Sequence, residues 1–312
     1  MLPPILIEGL VYANIITLLS IGFTLTYLTS RIPNFAQGTF ASVGIYVTFT
    51  VTKIWGLNVY LAVPVGFTLN ALIATLIYKG ILRTLKKHGA SLVSLMISTL
   101  AIELLILAGI NIYADIIQAK LWIISRTFLL KYLDFSYVGL PGIFIVLTIF
   151  VLSLTVVLYL FLNRTKFGIA MRAAVEDPDL ASLLGVNVDL VSTVSWFLTG
   201  GLAGIAGCLI PLWFQSDPNT GSMLTVSIFA SSVLGGLSSI YGAILGGYII
   251  GLTEVMGNSV LTRLLGGWAA YYRLLIPLTI LCLTLLKAPR GLVGLIESIQ
   301  TRGYKLQLIR RR

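Results

Sequence analysis

Charge is what this sequence has least of. Only 10% of its 312 residues are Asp, Glu, Lys or Arg, against about 25% in a soluble domain, whose surface must face water. With 57% hydrophobic residues and a mean hydropathy of +0.99, that scarcity excludes an ordinary water-soluble fold. Cysteine and histidine are nearly absent: Cys208 and Cys282 both lie in apolar runs, and His88 stands alone. This leaves no metal-ligand spacing, and cysteine in such surroundings acts as a small hydrophobe. There is no Gly-x-x-x-x-Gly-Lys-Ser/Thr phosphate loop, no Gly-x-Ser-x-Gly and no His-Glu-x-x-His, so the residues for nucleotide hydrolysis, serine hydrolysis or zinc proteolysis are missing. Acids well inside the apolar runs number two, Glu103 and Glu254, too few for the convergent ionisable groups of a membrane-embedded enzyme. The chain reads as a non-enzyme that binds no cofactor or metal of its own.

What is present is apolar sequence in lengths of roughly 20 residues, enough to cross about 30 Å of hydrocarbon as a helix. Spans are expected near 5–28, 39–55, 58–80, 92–113, 139–162, 191–213, 223–237, 241–257 and 269–287. The seventh and eighth are short and glycine-broken, open to reading as two thin spans or one re-entrant hairpin. Arg31, the first cation, follows the first run, the reverse of the charged start of a cleavable signal. With the amino terminus outside, fifteen of the 21 Lys and Arg residues fall on the inner side and six outside. The positive-inside rule therefore predicts amino terminus out and carboxyl terminus in. The expectation is an all-α, polytopic membrane helix bundle of about eight or nine spans in the cell membrane, residues 1–290, followed by a basic cytoplasmic tail, 291–312. The net charge of +10 sits in short loops and this tail, which suits anionic lipid better than nucleic acid. Asn163-Arg164-Thr165 matches a glycosylation acceptor, but its place at the inner edge of a span argues against that use.

The most informative polar stretch is 164–190. Asp177 has the chemistry of an N-cap, Pro178 suits the first helical position, and Asp179 meets the positive end of the helix dipole. Leu180, Leu183 and Leu184 then form one apolar stripe, and Gly185 is a left-handed stop. Residues 169–176 read as a second short helix upstream. A helix of about seven residues is unstable alone in water, so its leucines must rest on something. Three supports are open: the inner ends of the chain's own helices, the lipid interface, or a partner protein.

The glycines raise a second question. Gly200 and Gly204, Gly242 and Gly246, and Gly247 and Gly251 have the spacing that lets membrane helices approach closely. Gly235-Gly236 before Ser238-Ser239, and Asn34-Phe35-Ala36-Gln37-Gly38, read instead as irregular backbone within the membrane. Such backbone is tolerated where it is buried in protein or lines a watery path, though close packing is the competing reading. Glu103 and Glu254 are expected to face the interior, because a carboxylate in lipid is costly; pairing of Glu254 with Arg273 is open.

Four blocks in order carry a family resemblance: Asn34–Phe40, Phe167–Asn187, Val233–Gly247 and Pro289–Gly294. Together they resemble the permeases of branched-chain amino acid ABC transporters, the first block being closest to the LivH-type subunit. Gln37, Ser238 and Tyr241 stand where that family usually has histidine, glycine and proline, and the wider ABC-importer loop has a glutamate that 180–185 lacks. The resemblance implies a transport subunit without ATP chemistry of its own. It works with a LivM-like second permease, two cytoplasmic ATPase subunits that bind the ATP, and an external substrate-binding protein. Arg172, Glu176, Asp177, Pro178, Leu180, Ala181, Ser182, Leu183, Leu184 and Gly185 become the candidate ATPase-coupling loop. Asn34, Phe35, Gln37, Gly38, Glu103, Gly235, Gly236, Ser238, Ser239 and Glu254 become the candidate substrate pathway. Uptake of urea or a short amide, or an ion-coupled transporter without an ATPase, are the alternatives.

Overall fold

The computed structural model describes residues 3–137 and 139–294. The basic tail expected at 291–312 lies outside the described residues beyond 294.

In chain order the helices are α1 (Pro4–Ser30), α2 (Gln37–Phe49), α3 (Ala62–Ile77), α4 (Arg83–Lys87), α5 (Leu92–Leu121), α6 (Gly142–Arg164), α7 (Lys166–Glu176), α8 (Pro178–Leu183), α9 (Val188–Leu209), α10 (Thr220–Gly235), α11 (Ile240–Leu265) and α12 (Leu275–Lys287). A two-residue hairpin, β1 (Ser136–Tyr137) with β2 (Leu140–Pro141), precedes α6. Two π-helical turns, Thr50–Ile54 and Tyr78–Leu82, prolong α2 and join α3 to α4. Seven helical stretches are long and apolar enough to cross a membrane, while α10 is a shorter apolar helix. Every expected apolar run became a helix. Two helices run well past the expected spans: α11 reaches Leu265, and α5 extends to Leu121 before Trp122 turns into the left-handed region at φ 55°.

The chain divides into two compact units, one of Leu25–Thr225 and one of the amino-terminal helix up to Thr24 with the chain from Val226 on. The divisions fall inside the apolar helices α1 and α10 rather than at a polar linker, so composition carries no mark of them.

In the first unit, α2, α3 and α9 meet through glycine. A Cβ on Gly204 would lie 2.3 Å from Gly66 O, one on Gly207 2.1 Å from Ala41 O, and one on Gly200 2.4 Å from Asn70 O. Backbones this close gain dispersion contacts that apolar side chains, equally content in lipid, do not supply. Cys208 is buried among these helices, its Sγ 3.3 Å from both Gly44 O and Ala62 O. In α5 and α6 only 22% of the most apolar window is buried, leaving Leu104, Leu105 and Leu152 outward.

The second unit repeats the device. Gly251 backs onto Ala13 Cα and Gly247 onto Thr17, and a Cβ on Gly246 would lie 2.0 Å from Ser231 O. Tyr248 donates to Asn14 Oδ1 at 2.6 Å. Ser20 and Ser231 share a short hydrogen bond.

Candidate functional site

The 164–190 stretch folds as a chain of capped short helices. Thr165 Oγ1 accepts from Gly168 N at 3.0 Å to open α7, whose Met171 and Ala174 are buried. Asp177 Oδ1 accepts from Asp179 N and Leu180 N, both at 3.0 Å, with Pro178 at the first helical position. Gly185 closes α8 at φ +86°, and Val186 N returns to Ala181 O. Asn187 Oδ1 then accepts from Leu190 N, opening α9. Arg172 donates to Asn163 Oδ1 at 3.2 Å, and Arg31 donates to Val175 O at 2.8 Å.

The burial of α8 answers where its leucines rest within this chain. Its inward residue is Ala181, 2% exposed, while Leu183 is 84% and Leu184 76% exposed. Leu180 is exposed as well, as are Glu176, Asp177, Pro178 and Ser182. Among the described residues nothing covers the leucine stripe.

The two glycine blocks separate. Asn34, Phe35, Gln37, Gly38 and Glu103 belong to the first unit; Gly235, Gly236, Ser238, Ser239 and Glu254 belong to the second.

In the first unit, the Asn34–Gly38 block enters α2 and is packed between α5 and the start of α10. A Cβ on Gly38 would lie 2.2 Å from Gly221 O, and Gly221 N donates to Ser42 Oγ at 3.0 Å. Asn34 Nδ2 donates to Gln37 Oε1 at 3.2 Å, while the fully buried Asn34 Oδ1 has no partner. Phe35 N donates to Thr99 Oγ1 at 3.4 Å, and Thr99 Oγ1 donates to Pro33 O at 3.2 Å. One turn along α5 from Thr99, half-buried Glu103 neighbours Thr39, whose hydroxyl lies 3.4 Å from that of Ser222. The result is a polar track, Pro33–Thr99–Glu103–Thr39–Ser222, through otherwise apolar helices. Thr39, Thr99 and Ser222 escaped the sequence reading. The available signal was Thr99 four residues before Glu103, on the same face of one helix.

In the second unit, Gly235-Gly236 is not a break within one membrane helix but the turn between α10 and α11. The contacts Gly235–Gly242 and Ser231–Gly246 run in opposite order along the two helices, making them an antiparallel hairpin. Gly236 reverses the chain at φ +103°, a conformation that glycine adopts without a Cβ penalty, and Ser239 Oγ caps α11 by accepting from Gly242 N. A Cβ on Gly236 would lie 2.8 Å from Arg290 O, and one on Gly291 2.5 Å from Gly236 N. The turn thus lies beside the chain leaving α12, and two of the sequence blocks prove to be packing partners. Ser238 is exposed at this turn. Gly235, Gly236 and Ser239 thus take part in the packing and capping of these helix ends.

The remaining residue of this set is Glu254. It is 1% exposed and saturated: Tyr12 OH donates to Oε1 at 2.8 Å, Ser227 Oγ to Oε2 at 2.7 Å, and Arg273 Nε to Oε1 at 2.7 Å. The Arg273 guanidinium lies 4.2 Å from the Tyr12 ring centroid. This carboxylate is a structural ion pair rather than an open passage group.

Residues 5–285 match the family described as branched-chain amino acid transport system, permease component. The chain is 43% identical over 290 residues to the probable branched-chain amino acid transport permease protein LivH of Methanocaldococcus jannaschii, covering 93% of this chain and 92% of that protein. It is 27% identical to the high-affinity branched-chain amino acid transport system permease protein LivH of Escherichia coli K12, covering 92% and 94%. It is 26% identical to BraD, of the same description, from Pseudomonas aeruginosa, covering 93% and 94%. Among solved structures, PsaBC from Streptococcus pneumoniae in complex with Fab aligns with a TM-score of 0.51 at 14% identity, over 92% of this chain and 93% of that one. That likeness speaks for the fold alone.

Proposed function

This chain belongs to the family of branched-chain amino acid transport permease components, and on that footing we propose that it forms one membrane half of an ATP-driven importer for leucine, isoleucine or valine. The observation that carries the reading is α8: a helix capped at both ends, seated through Ala181, and presenting three uncovered leucines. A capped helix of six residues has little independent stability, so its fixed presentation of apolar surface suits a groove on a partner.

The chain makes and breaks no bonds. ATP is bound and hydrolysed by two cytoplasmic ATPase subunits, a LivM-like permease forms the other membrane half, and an external binding protein delivers the amino acid and supplies most of the selectivity. The amino terminus lies outside, and the 164–190 loop and the carboxyl terminus inside. Closure of an ATPase dimer would push α8, whose buried Ala181 and the neighbouring buried Met171 and Ala174 pass the movement to α7 and α9 as rigid bodies. The passage on this chain is the polar track of Thr39, Thr99, Glu103 and Ser222. The names of the relatives favour this over the short-amide and ion-coupled alternatives.

The test is reconstitution with the partner subunits in vesicles and measurement of labelled leucine. Uptake that needs both ATP and the binding protein is expected; accumulation without either one overturns the importer reading.

A further inference from the structure

Of the two acids deep within the long apolar helices, Glu103 and Glu254, only one has a cation beside it among the described residues. Asp115 is held by Arg126, its closest contact 2.6 Å, Asp189 by Arg83 at 2.5 Å, and Glu254 by Arg273 at 2.7 Å. Glu103 has no ion pair among the described residues. It lies eleven residues into α5, about 17 Å along the helix axis, well within the depth of the hydrocarbon. A carboxylate there is expensive, and such groups mark transport paths when the protein itself leaves them uncompensated.

The surroundings narrow what compensates it. Glu103 is half-buried, so one side is open. Its neighbour Thr39 and the adjacent Ser222 offer hydroxyl oxygens. The Asn34 side chain, in the turn that Thr99 ties to α5, keeps a fully buried carbonyl oxygen without a donor. The track is therefore rich in acceptors and lacks a cation. A divalent metal calls for several carboxylate or imidazole ligands, and no group of three such residues occurs among the described residues. A primary ammonium, with a single positive charge and three N–H donors, matches one carboxylate flanked by neutral oxygens.

We infer that Glu103 is the ammonium-recognising residue of the passage, taking the α-ammonium of the amino acid as it crosses, with the hydroxyls of Thr39 and Ser222 completing the site. The inference rests on the importer reading and assigns a chemical role within it. The amino acid's charge is met at mid-depth by this carboxylate, while its apolar side chain needs no specific partner among the surrounding leucines and isoleucines. A solute without an ammonium group would leave Glu103 buried and uncompensated, so the site discriminates against it.

The experiment uses the complete complex, this chain with its partner permease and ATPases, in lipid nanodiscs. The apolar reagent N,N′-dicyclohexylcarbodiimide modifies carboxyl groups within membranes, and peptide mass spectrometry reads Glu103 and Glu254 separately. Leucine at tens of millimolar is expected to slow labelling of Glu103 several-fold. The same concentration of 4-methylpentanoate, which is leucine without its ammonium, is expected to leave the rate unchanged, with Glu254 unreactive throughout. Equal protection by both compounds, or by neither, overturns the inference. So does a Glu103 already unreactive without leucine, since a cation from the second permease then occupies it. In vesicles, Glu103→Gln is expected to cut leucine uptake about 10-fold, the loss of one charge-assisted hydrogen bond, with Glu103→Asp recovering part of it. Co-purification of Glu103→Gln with the partner permease and the ATPases in wild-type proportions separates loss of recognition from failure to assemble. Wild-type uptake matched by Glu103→Gln removes this inference and leaves the importer reading intact, whereas absence of leucine uptake by the wild type removes that reading.

Discussion

Two glutamates that look alike in the sequence have opposite circumstances in the fold. Glu254 accepts from Tyr12, Ser227 and Arg273, and its carboxylate is part of what holds its unit together. Removing one member of a buried ion pair strands the other without compensation, at a cost of about 3–5 kcal/mol. Arg273→Ala and Glu254→Ala are therefore each expected to lower the thermal unfolding midpoint of the purified, detergent-solubilised protein sharply. The double replacement Glu254→Leu with Arg273→Met should be far milder, because neither charge is then left alone. A double variant as unstable as the single ones would show that the pair is not what the single replacements disturb. Glu103 differs in having a hydroxyl neighbour and an open side. Both acids were visible in the sequence as charges in apolar runs, and pairing of Glu254 with Arg273 was an open possibility. Their different fates were not legible, because Tyr12 lies 242 residues from Glu254 and helical periodicity says nothing about partners at that range.

At the scale of elements, α8 was the most legible piece of the chain. The N-cap, the proline and the glycine stop are local chemistry, and each acts within a few residues of itself. What the leucine stripe faces was not legible, since a stripe of this kind looks the same against a neighbour or a partner. Burial decided it within this chain: Ala181 faces in, and Leu183 at 84% exposure faces out. Replacing an exposed leucine costs little stability. Leu183→Asp is thus expected to insert and purify normally while breaking the link between ATP hydrolysis and leucine uptake in reconstituted vesicles. Unchanged coupling would show that α8 is not the docking element. The glycine hairpin is the instructive failure at this scale. Gly235-Gly236 reads as a break in one membrane helix, but its true partner is Arg290-Gly291, and no sequence pattern joins stretches so far apart.

For the whole molecule, the asymmetry of lysine and arginine yields a testable orientation. With Cys282 replaced by serine and Cys208 buried, a cysteine placed at exposed Ser182 is expected to react with a membrane-impermeant maleimide only in inside-out vesicles. One placed at exposed Lys120 should react only from outside intact cells. The reverse pattern would invert the topology and move α8 away from any cytoplasmic ATPase. The helical content and the positions of the runs were legible because an apolar segment in lipid must satisfy its backbone internally, which leaves the helix as its form. The division into two compact units was not, since it falls inside α1 and α10, where composition does not change.

By itself, the sequence determined membrane embedding, the order of helices, the caps of the short helices in 164–190 and the expected orientation, because each depends on hydropathy, charge or hydrogen bonding between near neighbours. Only the tertiary structure decided which glutamate is neutralised and which is left open, which glycines close a hairpin, and which face of α8 is uncovered. Those outcomes depend on side chains and backbones brought together from distant parts of the chain, and a one-dimensional pattern contains no term for such encounters.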